Sequence, residues 1–187
     1  EQIQDNYQRS LAYDYITTEQ AKSNPEEAKQ TGLLAKETAE QIQSNYLKSL
    51  AYCIIVTEEA KLNLEEAQKT VDLIQDNHLK SQAYCDIATE QAKSDPEKAK
   101  ETANLIQIDD WKSKAYCNIA TEQAKLNTET AKQTANLIQI DVWKSKAYCN
   151  IATEQAKLTS ETAKQTLILA QQTAYQIQDH YQQSEAY

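Results

Sequence analysis

The sequence predicts an all-α protein, an α/α superhelical solenoid of two-helix repeats, on three observations. The segment AYCNIATEQAK at 115–125 returns unchanged at 147–157, with one change at 83–93, and in looser form at 51–61 and 12–22. Its tyrosine recurs as Tyr13, Tyr52, Tyr84, Tyr116, Tyr148 and Tyr187, at steps of 39, 32, 32, 32 and 39 residues. Periods of this size mark stacked repeats. The 187 residues also include one glycine, two prolines and no phenylalanine or methionine. That is too few turn-formers for a strand-and-turn protein, whereas the abundant Ala, Gln, Glu, Lys and Leu suit helices.

The repeats form a single array over 1–187: 5–43, 44–75, 76–107, 108–139 and 140–178, with 179–187 opening a further helix. In the third repeat Asp76-Asn77 offers an N-cap, and helix A is expected to run to about residue 94. Asp95-Pro96-Glu97 then stops one helix and starts another. Asp95 can cap, Pro96 fits a first turn, and Glu97 complements the positive end of the dipole. Helix B is expected over 96–107. The same junction reads Asn24-Pro25-Glu26-Glu27, Asn63-Leu64-Glu65-Glu66, Asn127-Thr128-Glu129 and Thr159-Ser160-Glu161. Glu27 and Glu66 stand where a capping box places its acid.

At 100° per residue, Ala115, Tyr116, Cys117, Ile119, Ala120 and Ala124 spread over a wide arc, so helix A must touch more than one neighbour. Helix B carries a narrower stripe (Ala99, Ala103, Leu105, Ile106) and belongs outside. Alanines Ala120, Ala124 and Ala131 let helices approach closely, while Ile119, Leu137, Ile138, Tyr116 and Trp143 supply bulk. The first and fifth repeats carry seven extra residues in helix B, at 28–43 and 163–178. Seven residues make about two turns, which keeps the apolar face in phase and lengthens the helix by roughly 10 Å. The whole is expected to be a right-handed stack of five helix pairs.

A net charge of −9 without a basic run argues against a nucleic-acid surface. No apolar run approaches the roughly 18 residues of a membrane span, and no signal-peptide pattern precedes the first repeat. The chain has no initiator methionine and opens and closes within a repeat, as would an excised piece of a longer array or an artificial product. Cys53, Cys85, Cys117 and Cys149 occupy one phase of four successive repeats. Equivalent helices pack about 8–10 Å apart, beyond the roughly 7 Å Cα reach of a disulfide. Thiols strung along a stack cannot converge on one zinc. They read as small buried apolar groups, and reduced core thiols suit a cytoplasmic setting.

Paired helices of this length, alanines at the crossings and an Asp/Asn-Pro-Glu restart resemble the tetratricopeptide-like class of α-solenoids in architecture, with periods of 32 and 39 residues against the family's 34. The resemblance implies that the A helices line a concave surface presented to an extended peptide or a partner helix.

Chemistry is hard to find. There is no Gly-rich phosphate loop and no cysteine pair at metal-ligand spacing. His78 and His180 lie far apart, each near a helix start, and read as solvated turn residues. Glu58, Glu90, Glu122 and Glu154 form a ladder of identical environments, whereas an acid–base couple needs unlike ones. No catalytic, cofactor or metal site is therefore expected. Trp111 and Trp143 replace Leu47 and Leu79 at one phase and read as packing groups. The Ser81/Tyr84, Ser113/Tyr116 and Ser145/Tyr148 pairs, and Gln91, fall within the apolar arc and need hydrogen-bond partners.

The polar face of helix A carries Thr121, Glu122 and Lys125, with Glu122 and Lys125 spaced to pair. Two positions beside them vary. One reads Leu11, Leu50, Gln82, Lys114, Lys146, Glu185, and the other Tyr15, Ile54, Asp86, Asn118, Asn150. Both begin apolar and become polar, and contiguous apolar groups on a wet face usually mark a contact. The expected function is a non-catalytic scaffold for a protein or peptide, bound through Leu11, Tyr15, Leu50 and Ile54. Gln82, Asp86, Lys114, Asn118, Lys146 and Asn150 would supply selectivity. The alternative is a structural, self-associating or engineered array without a ligand.

Overall fold

The computed structural model describes residues 5–157 and 160–177, and all its regular elements are helical. The opening of the further helix at 179–187, with His180 and Glu185, and part of the Thr159-Ser160 junction lie outside the described residues. Among the described residues ten α-helices follow one another: α1 (Asn6–Ala21), α2 (Pro25–Glu40), α3 (Asn45–Leu62), α4 (Leu64–Thr70), α5 (Asn77–Gln91), α6 (Pro96–Asn104), α7 (Asp109–Ala124), α8 (Thr128–Asn136), α9 (Asp141–Ala156) and α10 (Ser160–Tyr175). A 3-10 turn at Val71–Leu73 extends α4. The odd-numbered helices are the A helices and the even-numbered ones the B helices.

The helices start where the sequence places their caps. Asn24 and Asp95 accept from the backbone N–H three residues on, and Pro25 and Pro96 fill the first helical position. Asn63 and Asn127 each accept two backbone N–H groups, and Asp76 Oδ1 accepts Leu79 N–H at 2.9 Å. The acid of the expected capping box behaves differently in the two repeats. Glu27 accepts from the Asn24 side-chain amide at 3.1 Å, while the Glu66 carboxylate is drawn to Lys36 and Lys69.

Helix A of the third repeat closes at Gln91 rather than near 94, because Ser94 and Asp95 turn back to donate to the Gln91 carbonyl. Helix B closes at Asn104, where Leu105 and Ile106 donate to the carbonyls of Thr102 and Ala103. That tight turn seats Ile106 inside and leaves Leu105 outside; Ile138 and Leu137 repeat the arrangement. Leu105 and Leu137, expected in the core from their stripe, are thus 58% and 52% exposed. Helical periodicity fails there because the helix has already ended.

The chain divides into two compact units, Glu1–Glu90 and Gln91–Tyr187. In the first, α1 packs on α2 and α3, and α3 on α2 and α4. Ala35, Ala39, Ala51, Ile55, Val56, Ala67, Val71 and Ile87 form its core. In the second, α7 packs on α6, α8 and α9, and α9 on α8 and α10, so the A helices use their wide arcs on several neighbours. Ile119 and Ile151 are fully buried there, as are Ala120, Ala131 and Ala135. The 16-residue α2 and α10 are the long B helices expected from the insertions, against 9 residues in α6 and α8.

Buried polar groups repeat as faithfully as apolar ones. Tyr52, Tyr84, Tyr116 and Tyr148 each donate their hydroxyl to the residue twelve positions earlier, Glu40, Asp72, Asn104 and Asn136. Each such bond ties an A helix to the end of the preceding B helix. The serines bond to backbone rather than to tyrosine. Ser10 and Ser145 donate to the carbonyls of Ala35 and Ala170, while Ser49 accepts from Gln75 and Asp76 N–H and Ser113 from Ile140 N–H, in the turns that follow the B helices. Gln123 and Gln155 accept from Thr134 and Thr166. Gln91, fully buried at the same phase, has no partner for either amide atom. Cys53, Cys85 and Cys117 are buried and Cys149 is half-buried. Burial pushes the Cys53 thiol up to about 12, helped by Asp86 and Asp76, and the Cys117 thiol to about 11.

Candidate functional site

The two variable positions of the A helices lie where their neighbours determine their use. In unit 1, Leu11 and Tyr15 stand on α1, and Leu50 and Ile54 on the adjoining α3. Tyr15 is 69% exposed; Leu11, Leu50 and Ile54 are half-buried, and Leu50 rests against the core. Gln82 and Asp86 follow on α5, also half-buried. Asp86 accepts from the Thr57 hydroxyl at 2.8 Å, and Thr57 also bonds back to the Cys53 carbonyl.

In unit 2, Asn150 donates to the Thr121 hydroxyl at 2.9 Å, the same link between successive A helices. The second variable position thus clamps neighbouring repeats together. Asn118 occupies the same phase and is half-buried. At the first variable position, the Lys114 and Lys146 ammonium groups lie 4.4 and 5.1 Å from the ring centroids of Trp111 and Trp143. The Trp143 indole N–H also donates to Asp110. These tryptophans are half-buried, with lysines on their faces. The Glu122–Lys125 pair closes at 2.6 Å, and Glu19–Lys22, Glu58–Lys61 and Glu154–Lys157 repeat it. His78 is exposed in the first turn of α5.

Unit 1 has a second feature that periodicity conceals. A groove of about 640 Å³ opens between α1, α2, α3 and the start of α4, within the roughly 300–1,000 Å³ typical of small-ligand sites. Ile55, Leu62, Leu33 and Ala28 give it apolar walls. Its charges are four carboxylates, Asp14, Glu58, Glu59 and Glu66, against two ammonium groups, Lys29 and Lys36.

Most of these charges are spoken for. Lys36 bridges Glu59 Oε1 and Glu66 at 3.1 Å each. Burial works against the charged Lys36 ammonium, yet Glu59 and Glu66 outweigh it and raise its pKa. Glu58 binds Lys61, Glu66 also binds Lys69, and Lys29 is held by Glu26. Asp14 is the exception. It is 6% exposed, lines the groove, and its carboxylate has no hydrogen bond or ion pair. The other Glu59 oxygen, Oε2, is also buried without a partner. Burial, then Glu58 and Glu59, push the Asp14 carboxyl up to about 7, with Lys61 pulling the other way.

The signal for Asp14 was present in the sequence. Aligning the repeats on tyrosine sets Asp14 against Cys53, Cys85, Cys117 and Cys149, so a carboxylate stands where every other complete repeat has a thiol. Among the described residues no group of three or more His, Cys, Asp or Glu side chains is placed to hold a metal ion, and no helix is long and apolar enough to cross a membrane. No protein-family model, curated protein or solved structure matches the chain.

Proposed function

We propose that this chain is a non-catalytic helical-repeat scaffold that binds a protein or peptide through the A-helix face of unit 1. The observation that carries this reading is Tyr15, a large aromatic 69% exposed one residue from the acid that lines a 640 Å³ groove. At 100° per residue, Tyr15 stands on the arc beside Asp14, and Leu11 lies 60° from Asp14 on the same side. Leu50 and Ile54 continue the apolar character on α3. A tyrosine beside half-buried aliphatics is the composition from which binding hot spots are made. The tetratricopeptide-like use of A helices for peptide capture agrees with it, and the buried thiols agree with a cytosolic setting.

Selection from a displayed random-peptide library tests the proposal. Enriched peptides should bind one per chain. Changing Leu50 to Gln and Ile54 to Asn together should keep the helical signal and lose binding. Failure to enrich any peptide, or equal binding by a folded double variant, rejects it.

A second reading, self-association, is favoured by the insertions of the long B helices. Leu33 and Leu34 on α2, and Leu167, Ile168 and Leu169 on α10, are all 39–55% exposed. Apolar groups held in water on regular helices suit contact with another copy. Sedimentation velocity decides this, since changing Leu167 and Leu169 to Gln should convert any oligomer to monomer.

A further inference from the structure

We propose that the groove of unit 1 is a site for an organic cation, an alkylammonium or guanidinium group whose charge is met by Asp14 and Glu59. The proposal rests on the scaffold reading for its expected source, a lysine or arginine side chain of the bound peptide, with a free amine as the other source.

Asp14 is not explained by packing. Its phase elsewhere holds a cysteine, buried in three repeats and half-buried in the fourth, so a small neutral group fills that position adequately. A carboxylate buried without a partner is costly, and Asp14 is more than nine-tenths buried while facing the groove. The neighbouring cations do not serve it. Lys36 is held by Glu59 Oε1 and Glu66, Lys29 by Glu26, and Lys61 by Glu58. Acceptor capacity is left at the groove on the Asp14 carboxylate, in a residue 6% exposed, and on Glu59 Oε2, which is buried without a partner. A primary ammonium has three donors and no acceptor, which matches that inventory.

The four-to-two excess of carboxylates over ammonium groups favours a cation, and the apolar lining beside them favours an organic one. The walls supply the other half of recognition. Ile55, Leu62 and Leu33 line the groove, and aliphatic stems of basic side chains pack along such surfaces while their charged heads reach polar groups. An anion or a neutral hydrophobe would leave the Asp14 charge unmet.

The test is calorimetric titration of the full chain with four probes. These are butylammonium, neutral butanol, an alanine-rich peptide with one central lysine, and the same peptide with that lysine acetylated. At least one charged probe should bind one per chain, and its neutral counterpart should lose at least about tenfold in affinity, the ~1.4 kcal/mol that a lost charged contact readily exceeds. Asp14→Cys, which installs the residue of the other repeats, should lose as much while retaining helicity and melting no lower. Asp14→Asn is the second variant, near-isosteric, should cysteine disturb the fold. Binding by butylammonium identifies a free amine as sufficient, whereas binding by the lysine peptide alone identifies a partner's side chain.

The proposal is overturned if neither charged probe binds, if neutral probes bind equally, or if a folded Asp14 variant retains affinity. Its failure is separable from that of the scaffold reading. Library-selected peptides that ignore charge and Asp14 would sink the cation site and leave the scaffold. Butylammonium bound through Asp14 with no peptide ever enriched would do the reverse.

Discussion

Replacing Asp14 with cysteine should stabilise the protein at neutral and alkaline pH, and the gain should vanish in acid. The folded protein holds this carboxyl at about 7 against an ordinary 3.8, a separation of roughly 3 pH units. At ~1.36 kcal/mol per unit, full expression would be about 4 kcal/mol. The groove is open to water, so screening brings the figure to about 2 kcal/mol.

The sign follows from where the proton binds more tightly. A carboxyl with a raised pKa in the folded state contributes stability that is fully present below pH 3.8 and lost as pH rises through about 7. The wild-type protein should therefore weaken across that window by about 2 kcal/mol more than Asp14→Cys. The other charges around the groove, Lys29 and Lys36 on α2, Glu58, Glu59 and Lys61 on α3, and Glu66 on α4, are common to both proteins, so the difference reports Asp14 together with its coupling to Glu58, Glu59 and Lys61. Urea denaturation followed by circular dichroism, at about pH 5 and about pH 8, reads the effect. A difference independent of pH would refute the reasoning. So would a variant less stable than wild type at the higher pH, which would mean that Asp14 is paired in solution.

Three further outcomes are expected. Ile119→Ala, at a site with no exposure, should cost about 2–5 kcal/mol by thermal or urea melting. Thr134→Val strands the buried Gln123 carbonyl that it now serves and should cost about 1–3 kcal/mol. Thr102, eleven residues after Gln91 as Thr134 is after Gln123, gives Gln91 no hydrogen bond, so Thr102→Val should cost less; equal losses would contradict the hydrogen-bond assignment. Ellman's reagent at mildly alkaline pH should modify half-buried Cys149 well before Cys53 and Cys117, whose thiols are pushed up to about 12 and about 11. Simultaneous modification would mean that the buried thiols open together.

The helix pairs were legible because each repeat writes its own punctuation. Asn24, Asn63, Asp95 and Asn127 cap where expected, Pro25 and Pro96 fill first turns, and the tyrosine phase carries the core with it. Leu105 and Leu137 were misread because a periodic stripe says nothing about where the helix stops; the last turn tightens and sends them outward. Hydrogen-bond partners were legible only as a need. Ser49, Ser113 and the tyrosines required partners, but pairing each tyrosine with the residue twelve positions back depends on how the preceding B helix ends. Of the candidate site, the polar residues Asp86 and Asn150 read as solvated selectivity positions, while the structure gives them to Thr57 and Thr121 as clamps between repeats. The Asp14 groove was marked by a single departure from the cysteine phase, whose meaning required knowing that the lysines around it are paired with other carboxylates.

The claim that unit 1 carries the binding face is tested most directly by backbone and methyl NMR shift mapping with a library-selected peptide. The account predicts that perturbations concentrate on α1 and α3 at Leu11, Asp14, Tyr15, Leu50 and Ile54, with α8 and α10 unchanged. Perturbations centred on Leu137 or on Leu167 to Leu169, with α1 silent, would contradict it.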